Sequence, residues 1–188
     1  DTIHPAFSNL FVQTEIVDRY KSIICTRRPR SLEEQTPWMF HLMKAHGVEI
    51  ESISYETDRM KFIGRGNSIN YPDAIKNPGN LSNTQGSVLD PVVAIRYRIA
   101  LDPDQTATMD LFFGMAETRE VCMGLIEKYQ DRILADRVIE LAWTHNQMVL
   151  RQINAKESDA QLYGRLASAI IYSNPILRAD PGILIKNH

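Results

Sequence analysis

From residue 9 to about residue 115 the chain alternates apolar and polar positions with a period of two, the pattern of strands that bury one face. Residues 9–17 set Leu10, Val12, Thr14 and Ile16 on one side and Phe11, Gln13, Glu15 and Val17 on the other. Short β-rich runs of similar length follow at 20–26, 38–44 and 51–56. Residues 92–101 gather Val93, Ile95, Tyr97, Ile99 and Leu101 on one face, with Arg96 and Arg98 opposite. Residues 106–115 present Ala107, Met109, Leu111, Phe113 and Met115 as an apolar face. Between these two runs lies Asp102-Pro103-Asp104-Gln105, a cluster suited to a hairpin loop. No helical stretch separates the strands to serve as a crossover, so the pattern predicts an antiparallel β-sandwich.

Beyond Met115 the period becomes helical. Residues 119–130 place Val121, Leu125, Ile126 and Tyr129 along one face. Asp131 is positioned to cap a long helix over 132–153, striped by Leu134, Val138, Leu141, His145, Met148 and Gln152. Ser158 and Gln161 form a capping-box pattern that starts a third helix near Asp159, and Pro175 and Pro181-Gly182 are expected to break regular structure. These narrow stripes cannot form a core alone, so they are expected to pack on the sandwich and on a further domain. The chain is therefore mainly β with C-terminal helices, divided into a sandwich over 1–116 and a helical linker over 117–188.

Composition narrows the function. The 21 basic and 23 acidic residues leave a net charge of −2, which argues against a duplex-DNA partner. Cys25 and Cys122 stand far apart with no CxxC or Cys/His cluster, as expected of reduced core thiols in a cytoplasmic protein. No apolar run is long enough for a membrane span. The chain opens on Asp1 without a methionine and closes just after Ile183-Leu184-Ile185, so both ends read as cuts in a longer polypeptide.

The candidate chemistry is sparse. In Phe62-Ile63-Gly64-Arg65-Gly66-Asn67-Ser68 two glycines flank an arginine whose fork suits phosphate or sugar hydroxyls; the alternative is a turn with a solvated arginine. Residues 67–91 carry many Asn, Pro and Gly. They read either as a loop covering a sugar site, which planar amides suit, or as an ordinary surface excursion. Trp38 and Trp143 could each stack on a sugar ring or pack in a core or interface. Gly64, Arg65, Gly66, Asn67 and Trp38 are thus the candidate sugar-binding residues. His41, His46 and His145 lack metal-ligand spacing, and no catalytic residue, metal ligand or cofactor motif is assigned. The pairs Glu56/Asp58, Asp102/Asp104 and Glu117/Glu120 flank turns or helix starts, where capping explains them.

Several ordered motifs resemble one family. Tyr55-Glu56-Thr57-Asp58-Arg59, Phe62-Ile63-Gly64-Arg65-Gly66, Ser87-Val88-Leu89-Asp90-Pro91, Ala116-Glu117-Thr118-Arg119, Glu140-Leu141-Ala142-Trp143-Thr144-His145 and Arg178-Ala179-Asp180-Pro181-Gly182 are similar to the cyclic β-1,2-glucan synthases. Those enzymes contain a region like the cellobiose phosphorylases of glycoside hydrolase family ninety-four. The resemblance implies a super-sandwich of galactose-mutarotase-like type, of which 1–116 is the C-terminal part, then linker helices and an (α/α)6 barrel. It implies inverting phosphorolysis with phosphate as co-substrate and an aspartic general acid in that barrel, outside this chain. Implied partners are β-glucan and the parent chain's own barrel, with a homodimer through 134–152 as an alternative, and no nucleic acid or membrane insertion. The implied location is the cytoplasmic side of the bacterial inner membrane. The chain is then an inactive scaffold; a carbohydrate-binding module and an interaction domain are the rival readings.

Overall fold

The computed structural model describes residues 11–172 and 179–187, divided into two compact units, residues 1–132 and 133–188. The first unit is antiparallel throughout. Its strands are β1 (Val12–Val17), β2 (Ser22–Arg27), β3 (Trp38–His46), β4 (Glu49–Asp58), β5 (Gly86–Ser87), β6 (Pro91–Ala100) and β7 (Thr108–Ala116). Five form a sheet in the order β5-β1-β2-β3-β7, and β4 pairs with β6 in a second sheet. Two short helices, α1 (Arg59–Ile63) and α2 (Asp73–Lys76), follow β4, and α3 (Arg119–Lys128) follows β7. The mainly β fold with C-terminal helices agrees with the alternation of the sequence.

Strand β2 shows why two layers are needed. Ser22, Ile23, Ile24 and Cys25 are all buried, so neighbours on opposite faces of one strand are both removed from water. On one face Ile24, Phe40, Leu42 and Ala116 pack with Cys122 and Ile126 of α3. Thr118 caps that helix by accepting from the Val121 N–H at 3.3 Å. Lys44 Nζ donates to the Gln130 carbonyl at 2.8 Å, tying the chain just past α3 to β3. On the other face Ile23 and Cys25 meet Tyr55, Ile53, Val93 and Ile95 of the small sheet. Cys25 and Cys122 are both buried and unpaired, and burial pushes the Cys25 thiol up to about 11.

The expected hairpin between the last two strands does not form. β6 pairs with β4, whereas β7 pairs with β3, so residues 101–107 cross from one sheet to the other. Asp104 takes a left-handed φ of 64°, and the Gln105 N–H donates to the Asp102 carbonyl at 3.1 Å. Gln105 Nε2 donates to the Gly47 carbonyl at 2.7 Å, clasping the other crossing, from β3 to β4. A Cβ on Gly47 would sit 2.8 Å from the Thr106 carbonyl oxygen, and its φ is +77°, so the clasp requires glycine there. Turn residues serve a hairpin and a corner equally well. Local sequence therefore could not separate them.

The apolar face expected from residues 106–115 also behaves differently. Met109, Leu111, Phe113 and Met115 are exposed, Phe113 at 65%, while Phe112 and Gly114 face the core under α3. Among the described residues the second sheet consists of β4 and β6 alone.

The second unit contains α4 (Arg132–Gln152), α5 (Glu157–Ile171) and α6 (Pro181–Leu184). α5 begins before the expected Ser158/Gln161 box, because Asp159 Oδ2 accepts from the Lys156 N–H at 2.8 Å and closes the first turn there. Pro181-Gly182 starts α6 rather than breaking structure: Asp180 caps it through the Gly182 N–H at 2.8 Å, and proline suits a first helical turn. Pro175 lies outside the described residues. Ile133, Leu141, Trp143, Leu162, Tyr163 and Ile170 keep large apolar surfaces exposed.

Two stability measurements follow from this packing. A Cβ at Gly114 would lie 2.2 Å from Phe40 Cε1, and Phe40 is fixed in the core. Gly114→Ala is expected to destabilise the first unit by about 1–3 kcal/mol through overpacking, read as a lowered urea midpoint. His41 is 5% exposed and stacks on Phe113 with centroids 4.2 Å apart. Burial holds its pKa below the ordinary value of about 6.5. A depressed pKa in the folded state gives stability that is present above pH 6.5 and lost as pH falls below it. Thermal melts from pH 7.5 to 5 should show that loss, and His41→Leu should flatten it.

Candidate functional site

The Tyr55-Glu56-Thr57-Asp58-Arg59 motif ends β4 and opens α1, and every one of its side chains has a structural task. Tyr55 Oη donates to Asp18 Oδ1 at 3.0 Å. Thr57 Oγ1 donates to the Thr84 carbonyl at 2.7 Å and lies 2.9 Å from Thr14 Oγ1. Asp58 caps α1 by accepting from the Met60 N–H at 2.9 Å. Arg59 pairs with Asp90 at 3.2 Å.

Glu56 is the centre of this arrangement. It is 2% exposed, the one fully buried carboxylate among the described residues. Its Oε1 accepts from the N–H groups of Thr57 and Asp58, both at 3.1 Å. Its Oε2 accepts from the Ser82 hydroxyl at 2.6 Å and the Ser82 N–H at 3.3 Å. Four donors thus replace the water that burial removed.

Those bonds fasten the amide-rich segment to the outer edge of β4. Asn83 behaves like one residue of a neighbouring strand: its N–H donates to the Tyr55 carbonyl and its Oδ1 accepts from the Tyr55 N–H, each at 2.8 Å. The Leu81 N–H reaches Ser54 Oγ at 3.0 Å, and Lys61 Nζ reaches Thr84 Oγ1 at 2.7 Å. From the outer face of β6, Arg96 holds the carbonyls of Asn77 and Gly79, and Arg98 holds that of Pro78. The sequence placed these arginines opposite an apolar face without giving them a role. The signal was present: two alternating cations on one strand beside a loop rich in unpaired carbonyls.

The Gly-Arg-Gly turn leaves α1. Gly64 has φ +81°, and a Cβ there would lie 2.6 Å from Asp73 Cβ, so close approach of α2 requires glycine. Gly66 has φ +77° and open space around it. Asn67 Oδ1 accepts from Lys76 Nζ at 2.5 Å. Arg65 is exposed and makes no hydrogen bond or ion pair among the described residues. A groove of about 270 Å³ is lined by Lys61, Asp73, Asn77, Asn80, Ser82 and Arg96; Asp73 is also the neighbour that Gly64 approaches, while residues 64–67 do not line it. It offers donors and acceptors at close spacing, the chemistry that sugar hydroxyls need.

Gly64, Arg65, Gly66 and Asn67 are therefore together, whereas Trp38 is not with them. Its side chain points to the α3 face of the large sheet, opposite the small sheet that carries the turn. It lines a separate pocket of about 190 Å³ with Gln13 and Glu15. The Arg119 guanidinium lies 6.0 Å from the Trp38 ring centroid and pairs with Glu15 at 2.5 Å. Among the described residues no group of three or more His, Cys, Asp or Glu could hold a metal ion.

Comparison with known proteins agrees with this architecture. The chain is 27% identical over 180 residues to the cyclic beta-(1,2)-glucan synthase NdvB of Rhizobium meliloti (strain 1021), an alignment covering 96% of the chain and 6% of that relative's length. The family model for the glycosyl hydrolase 94 supersandwich domain matches residues 1–132, the same span as the first compact unit. The sandwich, its corner-crossing strands and the loop stitched to β4 are accordingly those of a member of the glycosyl hydrolase 94 supersandwich family, to which this chain belongs.

Proposed function

We propose that this chain is a non-catalytic sandwich-and-helix region of a larger enzyme acting on β-1,2-glucan, where it supports a catalytic barrel and shapes the glucan path. The observation that carries the reading is the environment of Glu56. An inverting phosphorolysis needs a carboxylic acid free to protonate a leaving oxygen. Both oxygens of Glu56 are already committed to Thr57, Asp58 and Ser82, so it organises a loop instead. In this reading phosphate is a co-substrate of the whole enzyme and its acid lies in the barrel. The apolar side chains exposed on α4 and α5 are the surfaces that the barrel would cover. No helix of the described residues is long and apolar enough to cross a membrane. A place on the cytoplasmic side of a bacterial inner membrane would come from other parts of the enzyme.

A second reading, a carbohydrate-binding module, is favoured by one feature. Arg65 stands exposed between two glycines, on a turn whose Gly64 abuts Asp73, a residue of a groove lined by amides and charges. A third, self-association through α4, rests on its exposed Leu134, Leu141 and Met148.

The purified chain is expected to release no glucose 1-phosphate from linear β-1,2-glucan in phosphate buffer; release would overturn the scaffold reading. Calorimetric titration with the same glucan separates the other two. Saturable heat lost in Arg65→Ala would make the turn a sugar site, and heat absent from the unaltered chain would leave it as scaffold. Sedimentation at several concentrations tests self-association. Glu56→Ala is expected to free the 79–86 segment from β4, with about 2–4 kcal/mol lost as four donors go unpaired, read by chemical denaturation.

A further inference from the structure

Trp38 stands in a row of side chains that crosses three strands of the large sheet. Gln13 of β1 is opposite Thr26 of β2, and Thr26 is opposite Trp38 of β3. With neighbouring strands about 4.8 Å apart, Gln13 and Trp38 are separated by roughly 10 Å, and the short threonine lies between them. Two tall side chains on either side of a short one leave a slot. The next row inward carries Ile24 and Phe40, which α3 covers. The Gln13 row is the first beyond that cover, and its three residues are half-buried. The slot has a volume of about 190 Å³, with Thr26 and Ile24 as its floor and Trp38, Gln13 and Glu15 as its walls. Contact with the core cluster and the Arg119 guanidinium, 6.0 Å from the ring centroid, hold the indole in place.

The polar groups of the slot divide into committed and open ones. Thr26 Oγ1 donates to the Pro37 carbonyl at 3.1 Å, so the floor is satisfied. One oxygen of Glu15 accepts from Arg119, and that pair carries no net charge. The Gln13 amide and the Trp38 indole N–H make no hydrogen bond among the described residues. An aromatic wall thus faces an amide and a carboxylate across the width of one flat ring. A phosphate would meet that carboxylate with no cation among the lining residues to offset it. A wholly apolar ligand would leave the Gln13 amide dry and unpaired. A neutral pyranose suits both walls, with its C–H face on the indole and its hydroxyls at Gln13 and Glu15.

We infer that this slot is a carbohydrate subsite for one neutral pyranose ring, on the large sheet and separate from the Gly64–Asn67 turn. It deepens the carbohydrate-binding reading and rests on the proposed function for the identity of the sugar, a glucosyl unit of a β-1,2-linked chain. The volume limits the slot to a single ring, so a longer chain would cross the sheet with one unit inserted. Such a unit presents an all-equatorial ring, whose axial C–H groups form the flat apolar face that an indole wall accepts. Trp38 supplies the stacking surface, and Gln13 supplies donors and an acceptor that the fold does not itself use.

Trp38 reports on its own slot. The chain has two tryptophans, and Trp143→Phe, at a position exposed on α4, leaves Trp38 as the sole emitter. Titrating that variant with linear β-1,2-gluco-oligosaccharide should change the Trp38 emission saturably, with the midpoint found by calorimetry. Adding Gln13→Ala should raise the midpoint at least about three-fold. The melting temperature should stay within about a degree, since the amide has no partner in the fold. Inorganic phosphate at the same concentrations should leave the emission unchanged. Saturable heat without a change in Trp38 emission, or an unaltered midpoint in the Gln13→Ala variant, would overturn the subsite and leave carbohydrate binding to the Arg65 turn. Absence of both signals would overturn the subsite and the carbohydrate-binding reading together. Emission that responds to phosphate as it does to sugar would make the slot an anion site and overturn the inference as well.

Discussion

The burial of both faces of β2 is the constraint from which the first unit follows. Ile23 and Ile24 are each fully buried although they point to opposite sides of one sheet. Each contributes about 1.5–3 kcal/mol only if its own side is covered. One layer of cover is α3, held by its Thr118 cap and the Lys44–Gln130 bond. The other is the β4–β6 pair, which the chain can reach only by leaving the large sheet after β3 and returning to it after β6. Both crossings therefore fall at the same end of the sandwich, and Gln105 ties them together.

The second layer then creates an edge problem that the sequence solves on one side. β4 would expose its backbone to solvent, and the 79–86 segment covers it with side chains imitating a strand. Such cover holds only if the segment is fixed, and a buried carboxylate with four donors fixes it together with Lys61 at Thr84 and Arg96 at Gly79. The motif around Glu56 is thus an architectural device. Arg65, at the tip of the turn that follows, is the group left available to solvent. On the β6 side no equivalent cover exists among the described residues, and Met109, Leu111 and Phe113 of β7 are exposed.

The strands were legible because alternation is a local signal: β1, β6 and β7 lie within a few residues of their predicted bounds. α4 likewise follows from its stripe. The Gly64–Asn67 turn was legible through its glycines, since positive φ and the approach of Asp73 leave them little alternative. The grouping of Trp38 with that turn was not, because an aromatic residue at a strand start does not reveal which face of the sheet it will join.

What the sequence determined alone was the type of most elements and the family, carried by residue spacing along the chain, but not which face of β7 would be buried. Tertiary structure decided which sheet each strand entered, which is why a hairpin became a corner. It also decided that Glu56 would serve the loop, since its partner Ser82 lies 26 residues away. Pairing partners and burial depend on what arrives from distant segments, and no local pattern of apolar positions encodes that arrival.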